Sequence, residues 1–310
     1  MKIVTLTMNP ALDKSSRVNN IRPDSKLRCE PPKYQPGGGG INVSRAIHKL
    51  GGDSLCAYLA GGPDGEHMQQ LIEEEGVKQH VISMEGWTRE NFIVVDKSNN
   101  QQYRFGMPGE EISEKEWKQA LKAMETFCQK ANYVVGSGSL PPGAPDDFWA
   151  RLARIAKENN ARYIVDSSGE ALELAAEEGV YLLKPNLGEL GSLSKKESVT
   201  AMEQEDLAKR LIGSQRAEVV VVSMGPQGAM LVAKDQVVYV PAPTVHKKST
   251  VGAGDSMVAG MVLSLSQNKS LTEVVAFGVA SGTAATMNEG TGLCKKEDTE
   301  KLYQWILSKL

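Results

Sequence analysis

The chain has 310 residues, of which 41% are hydrophobic and 24% charged, with a formal net charge of -3. That balance suits one large globular α/β domain with a small appendage, and it excludes the polybasic surface that nucleic-acid binding calls for. No apolar stretch approaches membrane-spanning length, and the chain enters a strand-like run at Lys2–Thr7 without a signal-peptide pattern, so a cytoplasmic protein is expected.

In chain order, Lys2–Thr7 reads as the first strand, and Asp13 shortly after it is a candidate acceptor for sugar hydroxyls. As an isolated residue it serves equally as a turn former. Residues 14–34 look extended and carry Lys26 and Arg28. Gly37–Gly40 then precede Ile41–Leu50, whose apolar positions 41, 43, 46, 47 and 50 mark one helix face. Bare backbone before a helix lets a polar ligand approach, with the Asn42 side chain reaching its hydroxyls; the alternative is a flexible turn. A dinucleotide fingerprint fails in both registers, because Asn42 or Val43 falls where the third glycine belongs. A nicotinamide-dependent oxidoreductase is therefore the weaker enzyme reading, and a sugar-binding module without chemistry is a third.

Asn91–Phe105 reads as two strands around a turn at Lys97–Asn100. Together with the extended stretch it predicts a small β-sheet over about 14–34 and 87–107, serving as a lid or as plain decoration. Within it, Arg89 and Arg104 join Lys26 and Arg28 as cations suited to a phosphate already on the substrate, or simply to solvent. Short β-branched runs at 133–135, 163–165, 181–183 and 219–222 alternate with helical patterns, which predicts a mostly parallel sheet with helices on both faces. Ligands then belong beyond the carboxyl ends of the strands. The segments found there are Gly136–Gly143, with Ser137 and Ser139; Lys184–Glu189; and Ser223–Gly228. Asn186 and Glu189 offer oxygen ligands for magnesium, directly or through water, or else a turn and helix cap. Cys29, Cys56, Cys128 and Cys294 are far apart, which suits reduced thiols rather than a metal site or disulfide framework.

The most informative segment is Lys248–Gly260, KSTVGAGDSMVAG. Gly252, Ala253 and Gly254 leave backbone N–H groups open at a helix start, a setting for an anion, and Asp255 is placed to take a proton from a hydroxyl. Asp255 also suits a simple helix cap. The chain lacks the G-x-x-x-x-G-K-[ST] phosphate loop, so any kinase chemistry uses a different cradle.

The set PGGGGINVSRA, GSGSLPPG, VDSSGEAL, KPNLGEL, VVVSMGPQGA and STVGAGDSMVAG, in this order, resembles the PfkB-type, ribokinase-like sugar kinases from end to end. The resemblance implies a ribokinase-like three-layer α/β/α domain with a mostly parallel sheet and a small β-sheet lid that helps build a homodimer. It implies ATP-dependent phosphorylation of a small sugar phosphate with Mg2+ and a monovalent cation, usually K+. Further matches at KLRC, GEH, WTRxN and QYRFxMPG favour fructose 6-phosphate, with tagatose 6-phosphate and fructose 1-phosphate as alternatives. On this pattern Asp255 is the general base and Gly252, Ala253 and Gly254 the anion hole. Asp13, Lys26, Gly38, Gly39, Asn42, Arg89, Arg104, Ser137 and Ser139 surround the sugar phosphate. Lys184, Asn186, Glu189, Ser223, Gly225, Gly228, Val279, Ala280, Thr283 and Met287 lie on the nucleotide side. Main-chain carbonyls of Ser249, Val251, Ala285, Asn288, Gly290 and Gly292 are the implied K+ ligands; Gly292 stands where the pattern carries arginine.

Overall fold

The computed structural model describes residues 2–200, 202–290 and 292–310. The chain runs β1 (Ile3–Thr7), β2 (Ala11–Val18), β3 (Lys33–Gly37), α1 (Gly39–Lys49), β4 (Leu55–Ala60), α2 (Gly62–Glu74), β5 (Gln79–Ser83), β6 (Arg89–Asp96) and β7 (Gln101–Phe105). It continues through α3 (Glu114–Cys128), β8 (Tyr133–Ser137), α4 (Phe148–Glu158), β9 (Arg162–Asp166), α5 (Gly169–Glu178), β10 (Val180–Leu183), α6 (Leu187–Leu193), α7 (Gln204–Gly213) and β11 (Ala217–Ser223). The last elements are β12 (Ala229–Ala233), β13 (Gln236–Val240), α8 (Ala253–Ser266), α9 (Leu271–Thr286) and α10 (Lys296–Leu307).

Nine strands form one sheet in the order β13-β12-β11-β10-β9-β8-β1-β4-β5. From β11 to β5 every neighbouring pair is parallel, and β12 is antiparallel to both of its neighbours. The apolar runs are continuous because alternate side chains enter two different cores. Val220 and Val222 face the layer built with α3 to α7, while Val219 and Val221 face the layer built with α1, α8, α9 and α10. This is the three-layer α/β/α arrangement expected from the sequence.

The second sheet has the order β3-β2-β6-β7. The hairpin expected around Lys97–Asn100 joins β6 to β7, and Asn100 adopts φ 62° there. The stretch 14–34 is strand only at its two ends, in β2 and β3; residues 19–32 run without regular structure. Pro23, Pro31 and Pro32 lack the N–H a ladder needs, and Asn20 and Asp24 take positive φ, so the extended reading fails in the middle. Asp96 ties this connection to the hairpin by accepting the N–H groups of Asn20 at 3.0 Å and Ile21 at 2.8 Å.

The chain passes between the sheets twice within a short length. It leaves β1 at Thr7 and enters β2 at Ala11, then leaves β3 at Gly37 and begins α1 at Gly39. Both passages lie at the carboxyl end of β1. The first turn of α1 is capped there from outside, since Thr7 Oγ1 accepts the Ile41 N–H at 2.8 Å. Among the described residues no helix is long and apolar enough to cross a membrane.

Candidate active site

At the carboxyl ends of β1, β8, β9 and β10 lies an open cleft of about 310 Å3. Its walls contain Gly38, Gly39, Asn42, Ser137, Ser139, Glu189 and Asp255, all singled out from the sequence. They also contain Asp166, Ser167 and Ser168, to which the sequence analysis gave no role. These three follow the apolar run of β9, so the carboxyl-end rule was the signal that pointed to them. A larger channel of about 1350 Å3 opens at the opposite, amino-terminal end of the strands, among residues such as Lys157, Arg162, Gln215 and Gln236. None of the expected site residues lies in it.

The glycine run and the end of β8 approach each other closely. A Cβ on Gly39 would stand 2.2 Å from Ser137 Oγ and 2.8 Å from the Gly138 nitrogen, and Gly38 holds φ 118°. Bare backbone at these positions lets the two walls meet.

Asp255 occupies the first turn of α8, after Gly252 in a left-handed conformation with φ 71°. The N–H groups of that turn have no partner within the helix, and Gly252 provides no side-chain cap. Asn42 Nδ2 donates to Asp255 Oδ2 at 2.9 Å across 213 residues of sequence. Enclosure by protein, with the nearby Asp166 charge, pushes the Asp255 carboxyl up to about 6, against the opposing effects of Asn42 and Lys184. The helix-cap reading is thus incomplete: a cap needs neither a partner from α1 nor a raised pKa.

Lys184 follows β10 and is buried, with Nζ 3.2 Å from Asp166 Oδ1. Burial opposes its charge, but Asp166, Glu189 and Asp255 together hold its pKa above the ordinary lysine value. Asn186 caps α6 in a capping box: its Oδ1 accepts the Glu189 N–H at 2.9 Å, and Glu189 Oε2 accepts the Asn186 N–H at 2.9 Å. The cap therefore occupies the amide oxygen of Asn186 and one oxygen of Glu189, and burial followed by the Asp166 charge raises the Glu189 pKa. This donor set fits a magnesium ion met through water better than one bound directly by Asn186. Ser223 lies beside Asn186 through an isolated parallel bridge, and a 3-10 turn at Gly225–Gln227 leads into Gly228 at φ 100°.

The sugar-side residues divide. Asp13 accepts from Asn91 Nδ2 at 2.9 Å, and burial raises its pKa against the pull of Asn91, Arg104, Arg89 and Arg45. Arg89 turns its guanidinium to three main-chain carbonyls, those of Pro10 at 3.3 Å, Met107 at 2.8 Å and Asn9 at 3.0 Å. It clamps the small sheet to the end of β1 rather than standing open for a phosphate. Arg104 is exposed on β7 opposite Ile93. Lys26 and Arg28 are exposed on the irregular connection between β2 and β3, outside the cleft wall.

Thr283 on α9 and Met287, the residue that caps its end, are half-buried one helical turn apart, which suits a nucleotide-facing side. Ala280 is completely buried and Val279 nearly so, within the core shared with α8. Those two belong to the packing beneath a ligand surface, not to the surface itself. The segments expected to carry K+ meet beside the start of α8: the N–H groups of Lys248 and Ser249 donate to the Thr286 carbonyl at 2.8 and 3.2 Å, and Ser249 Oγ donates to the Gly290 carbonyl at 2.7 Å. Val251, Ala285, Asn288 and Gly292 lie on the same two strands of backbone, while Thr291 falls outside the described residues. Of the carbonyls expected to hold K+, that of Gly290 accepts Ser249 Oγ and that of Ala285 accepts the Asn288 N–H at 3.1 Å.

A parallel sheet with helices on both faces, a small added sheet and a helix start at the carboxyl-end cleft together define a ribokinase-like α/β protein. The chain belongs to the pfkB family of carbohydrate kinases, whose model matches residues 3–298. It is 44% identical over 307 residues, covering 99% of both chains, to the ATP-dependent 6-phosphofructokinase isozyme 2 of Escherichia coli. Crystal structures of phosphofructokinase-2 from that organism superpose over 99% of both chains. The complex with potassium gives a TM-score of 0.95 at 44% identity, and the complex with fructose 6-phosphate gives 0.93 at 42% identity.

Proposed function

We propose that this protein transfers the γ-phosphoryl group of ATP to the free primary hydroxyl of fructose 6-phosphate, giving fructose 1,6-bisphosphate and ADP. The observation that carries this reading is Asp255, ionisable near neutrality, tethered by Asn42 and set in the first turn of α8 at the cleft wall. A relative so similar over its full length, named for that reaction, supports the same substrate.

The sugar phosphate lies between the glycine run and the small sheet, with Asp13, Asn42, Ser137 and Ser139 around its hydroxyls. Arg104, and Arg89 once released from its carbonyl partners, are placed for the phosphate it already bears. Lys26 joins them only if the connection between β2 and β3 folds toward the cleft. ATP lies over β10 and β11, between Lys184 and the turn at Ser223–Gly228, with Thr283 and Met287 beneath it. As the acceptor oxygen bonds to the γ-phosphorus, its proton passes to Asp255 and the bridging bond to ADP breaks. The N–H groups of Gly252, Ala253 and Gly254 meet the spreading negative charge. Glu189, braced by Asn186, is placed to hold Mg2+ through water, an ion that screens the phosphate charges when bound. Carbonyls of the two segments beside α8 would hold K+, whose positive charge would add to that of the helix start.

The small sheet acts as the lid over this cleft, and the exposed Trp87, Tyr103, Phe105 and Met107 in or beside it form a homodimer contact. The test of the whole reading is ADP release with Mg-ATP and K+, comparing kcat/KM for fructose 6-phosphate, tagatose 6-phosphate, fructose 1-phosphate and fructose. The highest value is expected for fructose 6-phosphate. Preference for tagatose 6-phosphate moves the substrate and keeps the mechanism; no turnover of any by folded protein overturns the reading.

A further inference from the structure

We propose that Arg45 is a positioning residue for phosphoryl transfer: its guanidinium sets which way the Asn42 amide faces, and Asn42 thereby holds the Asp255 carboxylate in place. The inference rests on the reading of Asp255 as general base and extends the machinery into the second layer of side chains.

Arg45 lies three residues after Asn42 on α1, so the two share a helix face. Its side chain is 3% exposed, which is unusual for a charged group. Its two edges do different things. Nε donates to Glu75 Oε2 at 2.8 Å and Nη2 to Glu75 Oε1, an ion pair that joins α1 to the end of α2. Nη1 donates to the Pro36 carbonyl at 2.7 Å and to Asn42 Oδ1 at 3.3 Å. A bond between helices needs only the first edge.

The second edge has a chemical consequence for the site. Arginine offers donors and no acceptor, so the amide oxygen of Asn42 must face it, and the amide nitrogen is left for Asp255. Turned the other way, the Asn42 NH2 group would meet the guanidinium and its oxygen would meet the Asp255 carboxylate, two repulsive contacts in place of two hydrogen bonds. The Pro36 contact also anchors the end of β3, directly before the glycine run that forms the other wall. Arg45 is close enough to act on Asp13 as well, the carboxylate assigned to the sugar side.

The test is a double-mutant cycle on kcat at saturating substrates. Arg45→Met, with wild-type-like circular dichroism, is expected to lower kcat by about a hundredfold, the scale of a small misplacement at a reacting centre, with KM for ATP unchanged within about twofold. Combined with Asn42→Ala it should be no slower than Asn42→Ala alone, because one residue acts through the other. Should Arg45→Met not fold, Arg45→Lys serves in its place: lysine keeps a charge for Glu75 but has no second edge for Asn42, and the same non-additivity is expected. Additive effects in the cycle, or full kcat in a folded Arg45→Met or Arg45→Lys protein, overturn the proposal. Near-normal turnover by Asp255→Asn removes the base reading and this proposal with it. A slow Asp255→Asn together with an additive cycle overturns the role of Arg45 alone.

Discussion

Asp255 combines two properties that pull against each other. Its carboxyl is raised from 3.8 to about 6 by burial and by Asp166, which leaves it ionised at neutral pH yet basic enough to accept a proton. Asp255→Asn should lower kcat by about a hundredfold to ten-thousandfold with ATP binding retained, read by steady-state kinetics and by nucleotide titration. On the proposed mechanism Asp255 must be ionised in the wild type, so kcat should fall as pH drops through about 6, and that acid limb should be absent from the residual rate of Asp255→Asn. Stability follows the opposite sign. A carboxyl whose folded pKa lies above its unfolded value binds its proton more tightly in the folded state, so the charged form weakens the fold above about pH 6 and the cost fades as pH falls toward 4. Asp255→Asn should therefore raise Tm by a few degrees at pH 8 and by less at pH 5, measured by calorimetry. An unchanged Tm at pH 8 would show that solvent already relieves the charge.

Among the elements, the glycine run and the end of β8 depend most on the absence of side chains. Gly39→Ala places a methyl group 2.2 Å from Ser137 Oγ and 2.8 Å from a main-chain nitrogen that cannot move alone. The expected cost is about 1–3 kcal/mol of stability, together with a raised KM for the sugar phosphate because the cleft wall shifts. Denaturant unfolding and steady-state kinetics measure the two effects separately. Thr7→Val removes the hydroxyl that caps α1 while keeping its shape, and should cost about 1 kcal/mol with little change in KM, since Asn42 keeps its own N–H bond to the Gly38 carbonyl at 2.9 Å. If Thr7→Val instead abolishes activity at full stability, the hydroxyl has a part in the site beyond capping. The start of α1 and the hairpin at Lys97–Asn100 were legible in the sequence because each rests on local signals, a helical apolar stripe and a turn. The middle of 14–34 was misread because proline and positive-φ residues there outweigh the general impression of an extended chain.

In the whole molecule, the small sheet exposes Tyr103 at 37% and Phe105 at 50%, with Trp87 at 58% beside it. If these form the homodimer contact, Tyr103→Glu combined with Phe105→Glu should shift sedimentation from dimer to monomer, since four buried carboxylates, two from each protomer, repel and lose hydration at a twofold contact. A wild-type chain that sediments as a monomer, or a double variant that remains dimeric, removes that surface from the assembly. The sequence by itself determined the layer architecture, because β-branched runs alternating with helical stripes can be buried in few ways. It also pointed to the carboxyl ends of the strands, where the cleft lies, and to Asp255, which stands in the cleft wall. Only the tertiary structure decided the contacts made across distance: Asn42 on Asp255, Arg45 on Glu75, Lys184 on Asp166, and Arg89 turned to carbonyls. It also withdrew Ala280 into the core. Local patterns fix periodicity and caps, whereas the partner of a polar side chain is set by which strand ends the sheet order places side by side, and that order appears only when the chain has closed on itself.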